Sequence, residues 1–112
     1  MNEMIKVKAK LRDDWSVWIY GIWVRPGVVR DNEGNDIDVI ERTVCMDTGL
    51  RCNDETVYEN DWLEVAGNGE VHKFLAALGE KEFRAYEDED ISYVLANVIA
   101  CEDCKVVGNL YD

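Results

Sequence analysis

The sequence predicts a single domain over residues 1–112, mainly antiparallel β, with one short α-helix near residues 91–101. Three observations predict it. Ile5, Val7, Ala9 and Leu11 alternate strictly with Lys6, Lys8, Lys10 and Arg12, the period of a strand rather than a helix. Four Trp and five Tyr enrich the chain in residues that pack well on pleated sheets. Only residues 91–101 carry a helical spacing, with Ile91, Val94, Leu95 and Val98 at i, i+3, i+4 and i+7. At 112 residues the chain is one domain's worth, and burying roughly 65% of its unfolded surface is enough for one modest core.

Each element can be justified in order. The alternation at 5–11 is a half-buried strand, and Asp13-Asp14 is the turn that ends it. Trp15 to Val24 is apolar on both alternating faces, so this strand is central or meets another subunit. Gly21 lies within it and marks a bulge or a close backbone approach. Arg25-Pro26-Gly27 closes the strand. Val28 to Val44 reads as a hairpin around Asp31-Asn32-Glu33-Gly34-Asn35, and Asp47 to Asn53 as a polar turn segment. Thr56 to Ala66 is a further strand, bounded by Gly67-Asn68-Gly69. Glu70 to Leu78 has some helical spacing, but the Gly79-Glu80 turn before Lys81 to Tyr86 decides for a hairpin strand. The acids Glu87 to Asp90 suit the N-terminus of the helix that follows. Lys105 to Tyr111 closes the chain as a strand.

Composition excludes several function classes. Hydrophobic residues make up 47% and charged residues 32%, which rules out a disordered or collagen-like chain. The longest apolar stretch, Val17 to Val24, falls far short of the roughly 20 residues that cross a bilayer. The start, Met1 to Lys6, has no apolar signal region. The expectation is a cytoplasmic protein with no membrane contact, whose cysteines are free thiols rather than disulfides. The formal net charge of -12 disfavours direct binding to nucleic acid.

Four pieces of sequence, in order, resemble one family. Thr48-Gly49-Leu50 and then Val57-Tyr58-Glu59-Asn60-Asp61 resemble the "TGL…IYEGD" signature of YopX-like phage and prophage proteins. Tyr20-Gly21 resembles that family's early "YG", and Val106-Val107-Gly108-Asn109-Leu110-Tyr111 its terminal "VIGNIY". The chain departs from the pattern at Asn60, where the family has Gly. Asn is the next-best residue for a positive φ, so the turn can survive. The loop after Leu50 is also one residue shorter and carries Cys52. The resemblance implies a mainly β fold with a small barrel-like part, a tendency to form higher oligomers, and no catalytic residues to carry over.

Other constellations have plainer readings. Asp47-Thr48-Gly49 also resembles the catalytic triplet of retroviral-type aspartic proteases, with Val106-Val107-Gly108 as the supporting loop. Leu50 is too large for the residue after such a triplet, and only four residues follow Gly108, so a turn is the better reading. Cys101-Glu102-Asp103-Cys104 is a single CxxC, and Cys45 and Cys52 do not form a second knuckle, so neither zinc nor any other metal or cofactor is expected. The CxxC follows a helix C-terminus and brackets acids, which is unfavourable for a redox pair. Asp31 to Asp38 resembles a calcium loop but has Asp36 at its sixth place and Arg42 at its twelfth. His72, the only histidine, has no nucleophile at a recognisable spacing.

The charge is uneven. Residues 1–12 carry four bases and one acid; the rest carry eight bases and 23 acids. One strand therefore reads as a basic strip, either protecting a sheet edge or docking to an acidic patch. The candidate interface is Lys6, Lys8 and Lys10 with Trp18 and Trp23. The function expected is non-catalytic binding and self-association, as a homo-oligomer or with a protein of the bacterial host. The competing reading is an acidic mimic of nucleic acid that occupies a host DNA-binding protein.

Overall fold

The computed structural model describes residues 4–67, 69–101 and 103–112. Met1 to Glu3, Asn68 of the Gly-Asn-Gly turn and Glu102 of the CxxC lie outside the described residues. The chain divides into two compact units, Met1–Asp47 and Thr48–Asp112. As predicted, it is mainly antiparallel β with one short helix.

In the first unit, β1 (Lys6–Leu11), β2 (Asp14–Arg25), β3 (Val28–Asp31), β4 (Asp36–Asp38) and the start of β5 (Cys45–Cys52) are joined by a 3-10 turn at Glu41–Thr43. The spatial order is β4-β3-β2-β1-β5. Val7, Ala9, Val29 and Val39 form its core, with Ile19, Trp23, Ile37, Val44 and Met46 packed on them. The β3–β4 hairpin forms where its turn chemistry predicts: the Asp31 carboxylate accepts the N–H groups of Glu33 and Asn35 at 3.0 and 2.9 Å, and Arg30 pairs with Asp36. These bonds occupy the segment that resembles a calcium loop.

In the second unit, β5 runs on to Cys52 beside β6 (Glu55–Tyr58). A five-stranded sheet follows, from β7 (Asp61–Gly67), β8 (Glu70–Leu78), β9 (Phe83–Tyr86), β10 (Ser92–Val94) and β11 (Cys104–Asn109). Its order is β10-β9-β8-β7-β11. Helix α1 (Leu95–Ile99) lies between β10 and β11 in the chain. Leu63, Phe74, Ala76, Ala85, Leu95 and Val98 lie in its core, with Cys52 and Cys104.

Several expectations are corrected. The sheets are open, so the barrel-like part implied by the family resemblance is not formed. Closure needs edge strands that pair along their length, and edge strands β4 and β10 have three residues each. The segment read as a polar turn at 47–53 is mostly strand, because β5 enters by pairing Met46 and Cys45 with Val7 and Lys8. The strand expected over 56–66 is broken at Glu59-Asn60 into β6 and β7. The helix is shorter than 91–101, because Ser92–Val94 pair with Tyr86–Arg84 as β10. The acids before it do not cap a helix. The Asp88 carboxylate instead accepts the N–H groups of Asp90 and Ile91, both at 2.8 Å, in a tight turn.

Strand β1 is not an edge. It lies between β2 and β5, and Lys8 and Lys10 are only 8% and 4% exposed. Lys8 faces Tyr20 and Lys10 faces Trp18 across the ladder. Both ammonium groups lie over the Trp18 ring, at 4.3 and 4.4 Å from its centroid. Alternating lysines thus do not form an open basic strip. Long apolar stems and an aromatic face let the charged heads lie on the sheet.

Candidate functional site

The second unit brings three of the four family-like pieces together, around a buried carboxylate. Strand β6 ends at Tyr58, and Asn60 then takes φ 69°, the left-handed conformation that Asn tolerates. Asp61 starts β7 and is 1% exposed. Its Oδ2 accepts the Tyr58 N–H at 2.8 Å, closing the turn that Asp61 itself follows. Its Oδ1 accepts the Asn109 side-chain amide, also at 2.8 Å. Asp61 and Asn109 are direct partners in the β7–β11 ladder, so the register itself holds both groups in place.

Asn109 extends this network. Its amide also reaches the Glu59 carbonyl at 3.3 Å, and its Oδ1 accepts the Tyr111 N–H at 2.9 Å. Leu110 N–H donates to the Asn60 carbonyl at 2.8 Å, and Asn60 N–H to the Ala76 carbonyl at 2.7 Å. Gly108 stands opposite Trp62, just after an irregularity in the ladder that follows Val106. Thr48 joins from β5, its hydroxyl donating to the Val57 carbonyl at 2.7 Å while accepting the Leu50 N–H at 3.2 Å. Gly49, at φ 77°, gives the strand the bend that this requires.

The chemistry of this arrangement is that of a fastener. The hydrogen bonds that Asp61 and Asn109 make to Tyr58, Glu59 and Tyr111, and to each other, hold a turn and a strand end. Among the described residues no buried side-chain nitrogen or oxygen lacks a partner. Asp47-Thr48-Gly49 lies within a strand, its Thr hydroxyl committed to Val57, and Val106 and Gly108 lie along β7 opposite Leu63 and Trp62.

The fourth piece belongs to the first unit. A Cβ placed on Gly21 would come within 2.0 Å of the Arg30 carbonyl oxygen, so β2 and β3 require glycine there. Tyr20 is 48% exposed. Of the candidate interface residues, Lys6 is exposed, Lys8 and Lys10 are buried, and Trp18 and Trp23 are half-buried. Trp23 packs on the core and its indole N–H donates to Glu41 at 3.2 Å. What the sequence pattern did not single out is the exposure of Trp15, at 54%, and Val17 beside it on β2.

The cysteines divide between the units. Cys45 is buried and donates to the Thr43 carbonyl at 3.2 Å. Cys52 and Cys104 are buried and Cys101 is exposed. Burial, reinforced by the adjacent Cys52 thiol, pushes the Cys104 thiol up to about 12. Cys101 stands at the rim of an apolar groove of about 210 Å³ lined by Val65, Phe74, Tyr93, Asn97 and Val98. Among the described residues no three His, Cys, Asp or Glu are grouped to hold a metal. His72 is exposed, 3.5 Å from Glu70 and 3.6 Å from Glu87. No described helix is long and apolar enough to cross a membrane.

Comparison with known proteins finds no match to any family model, curated protein or solved structure.

Proposed function

We propose that the chain is a YopX-like phage or prophage protein that acts in the bacterial cytoplasm by non-catalytic binding and self-association. The four family-like pieces support the first half of this reading. The observation that carries the second is on β2, where Trp15 is 54% exposed and Tyr20 48%, with Val17 between them. Large rigid aromatic side chains left in solvent are the usual anchors of a protein interface. Lys6 is exposed on β1 but pairs with Ile22, at the other end of the ladder from Trp15, so it can tune encounter rather than strength.

This shifts the expected contact from Trp23, which the core of its own unit uses, towards the start of β2. Size exclusion with light scattering at low and high salt tests it. The reading requires a mass above 12.9 kDa at tens of micromolar, with salt acting mainly on the rate of association.

A second reading has its own observation. The net charge is -12, and Glu87 to Asp90 form an exposed acidic turn. A monomer that competes with DNA for a basic host protein would fit it. Displacement of labelled DNA from proteins of a host extract separates this reading from self-association.

A further inference from the structure

The first unit presents an aromatic anchor. The β1–β2 ladder steps from Lys10–Trp18 directly to Leu11–Asp14, so Trp15, Ser16 and Val17 bulge out of it. Trp15 is left 54% exposed, and the Arg42 guanidinium lies over its ring, 4.9 Å from the centroid. The adjoining acid, Asp14, is turned to Ser16 and accepts its hydroxyl at 2.6 Å. The anchor therefore carries a cation on its face.

The second unit presents an apolar groove of about 210 Å³. Phe74 and Val98 are its buried lining, and Tyr93 and Asn97 are exposed at its rim. The Tyr93 ring stands edge-on to Phe74, with 5.8 Å between centroids. The volume lies below the roughly 300 Å³ at which small-molecule sites begin, and leaves room for one large side chain. One flank is acidic. Val65, which lines the groove, pairs with His72 across the ladder. His72 in turn lies 3.5 Å from Glu70 and 3.6 Å from Glu87, and Glu87 opens the exposed acidic turn.

We propose that the groove of one copy receives Trp15 of another, with the Arg42 guanidinium facing Glu70 and Glu87. This rests on the self-association proposed above and names the surface that accepts the anchor. The chain itself supplies both complementary parts, an aromatic ring with a cation and an apolar slot with an acidic flank, which favours a second copy over any other occupant. Burial of the indole against Phe74, Tyr93 and Val98 supplies the binding energy. The contact between Arg42 and the carboxylates sets orientation more than strength. Each copy has one anchor to give and one groove to offer, so two different surfaces meet.

Two variants test the contact. Trp15→Glu removes the anchor and keeps the groove. Asn97→Lys keeps the anchor and sets a cation with added bulk at the groove, from an exposed position on α1. Circular dichroism and melting record that both fold, and Tyr93→Lys, which alters another rim residue, should behave as Asn97→Lys does. Light scattering over a concentration series should show the native chain assembled and each variant alone at 12.9 kDa, with association weakened at least about tenfold. An equimolar mixture of Trp15→Glu and Asn97→Lys should form a pair of twice that mass, since one partner still has the groove and the other the anchor. Assembly of Asn97→Lys as tight as that of the native chain, or a mixture that stays at 12.9 kDa, would overturn the groove while leaving self-association through β2 in place. A native chain at 12.9 kDa throughout would overturn both.

Discussion

Asp61 and Asn109 stand 48 residues apart in the chain and face each other across β7 and β11, their side chains joined by a 2.8 Å hydrogen bond. This contact unites two family-like pieces and closes the Glu59-Asn60 turn through Tyr58. Removing the carboxylate leaves the half-buried Tyr58 N–H and the buried Asn109 amide without this acceptor. Asp61→Ala should lower stability by about 3 kcal/mol, and Asn109→Ala by about 2. Because the two share one network, the double variant should lose less than the sum of the singles. Urea unfolding of all four proteins measures this.

Asn60 is held at φ 69°. Asn60→Gly should be neutral or slightly stabilising, because glycine occupies that conformation without strain. Asn60→Val should cost about 2 kcal/mol, since a β-branched residue is a true outlier there. Equal effects from the two variants, read by thermal melting, would contradict the turn geometry.

Gly21 has no room for a side chain. The Arg30 carbonyl would lie 2.0 Å from its Cβ, a backbone atom that can move only if β3 moves. Gly21→Ala should therefore cost about 2–3 kcal/mol by forcing the strands apart. Gly67→Ala meets nothing within 4 Å and should change stability far less. Chemical denaturation of the two variants side by side gives the comparison.

Much of this fold is legible in the sequence because the signals are local. The period-two alternation places β1 and β2, and the Asp31 and Gly79 turns place the hairpins at β3–β4 and β8–β9. The misreadings share a cause. Asp47-Thr48-Gly49 looks like a turn because its residues are polar, yet β5 enters as a strand through Met46 and Cys45. Lys8 and Lys10 look solvated because they alternate with apolar residues, yet β1 is paired on both sides and Trp18 covers them. Ser92–Val94 are drawn from the expected helix into pairing with β9. At the candidate site, the motif residues are visible in sequence, but the Asp61–Asn109 contact depends on a register between strands far apart in the chain.

The thiols should differ sharply in reactivity. Thiolate is the reacting form, and Cys104 stays protonated until about pH 12 while an unfolded thiol ionises near 9. Iodoacetamide should label Cys101 first, and labelling of Cys104 in the native protein should not rise between pH 7 and 9. The same shift sets a sign for stability. It has no effect below pH 9 and removes stability as pH rises from about 9 to about 12, because only the unfolded state ionises there. Peptide mass spectrometry after timed alkylation reads the first effect, and urea midpoints across that pH range read the second.

The central claim is that the start of β2 binds a second copy of the chain. Light scattering over a concentration series, applied to the native chain and to a Trp15→Glu, Tyr20→Glu variant, tests it most directly. Both side chains are about half exposed, so the variant should keep its fold and its circular dichroism. The account predicts an assembly for the native chain that falls to 12.9 kDa in the variant, with a far smaller effect from Lys6→Glu. A native chain that stays at 12.9 kDa throughout, or a variant that assembles as well as the native chain, would contradict it.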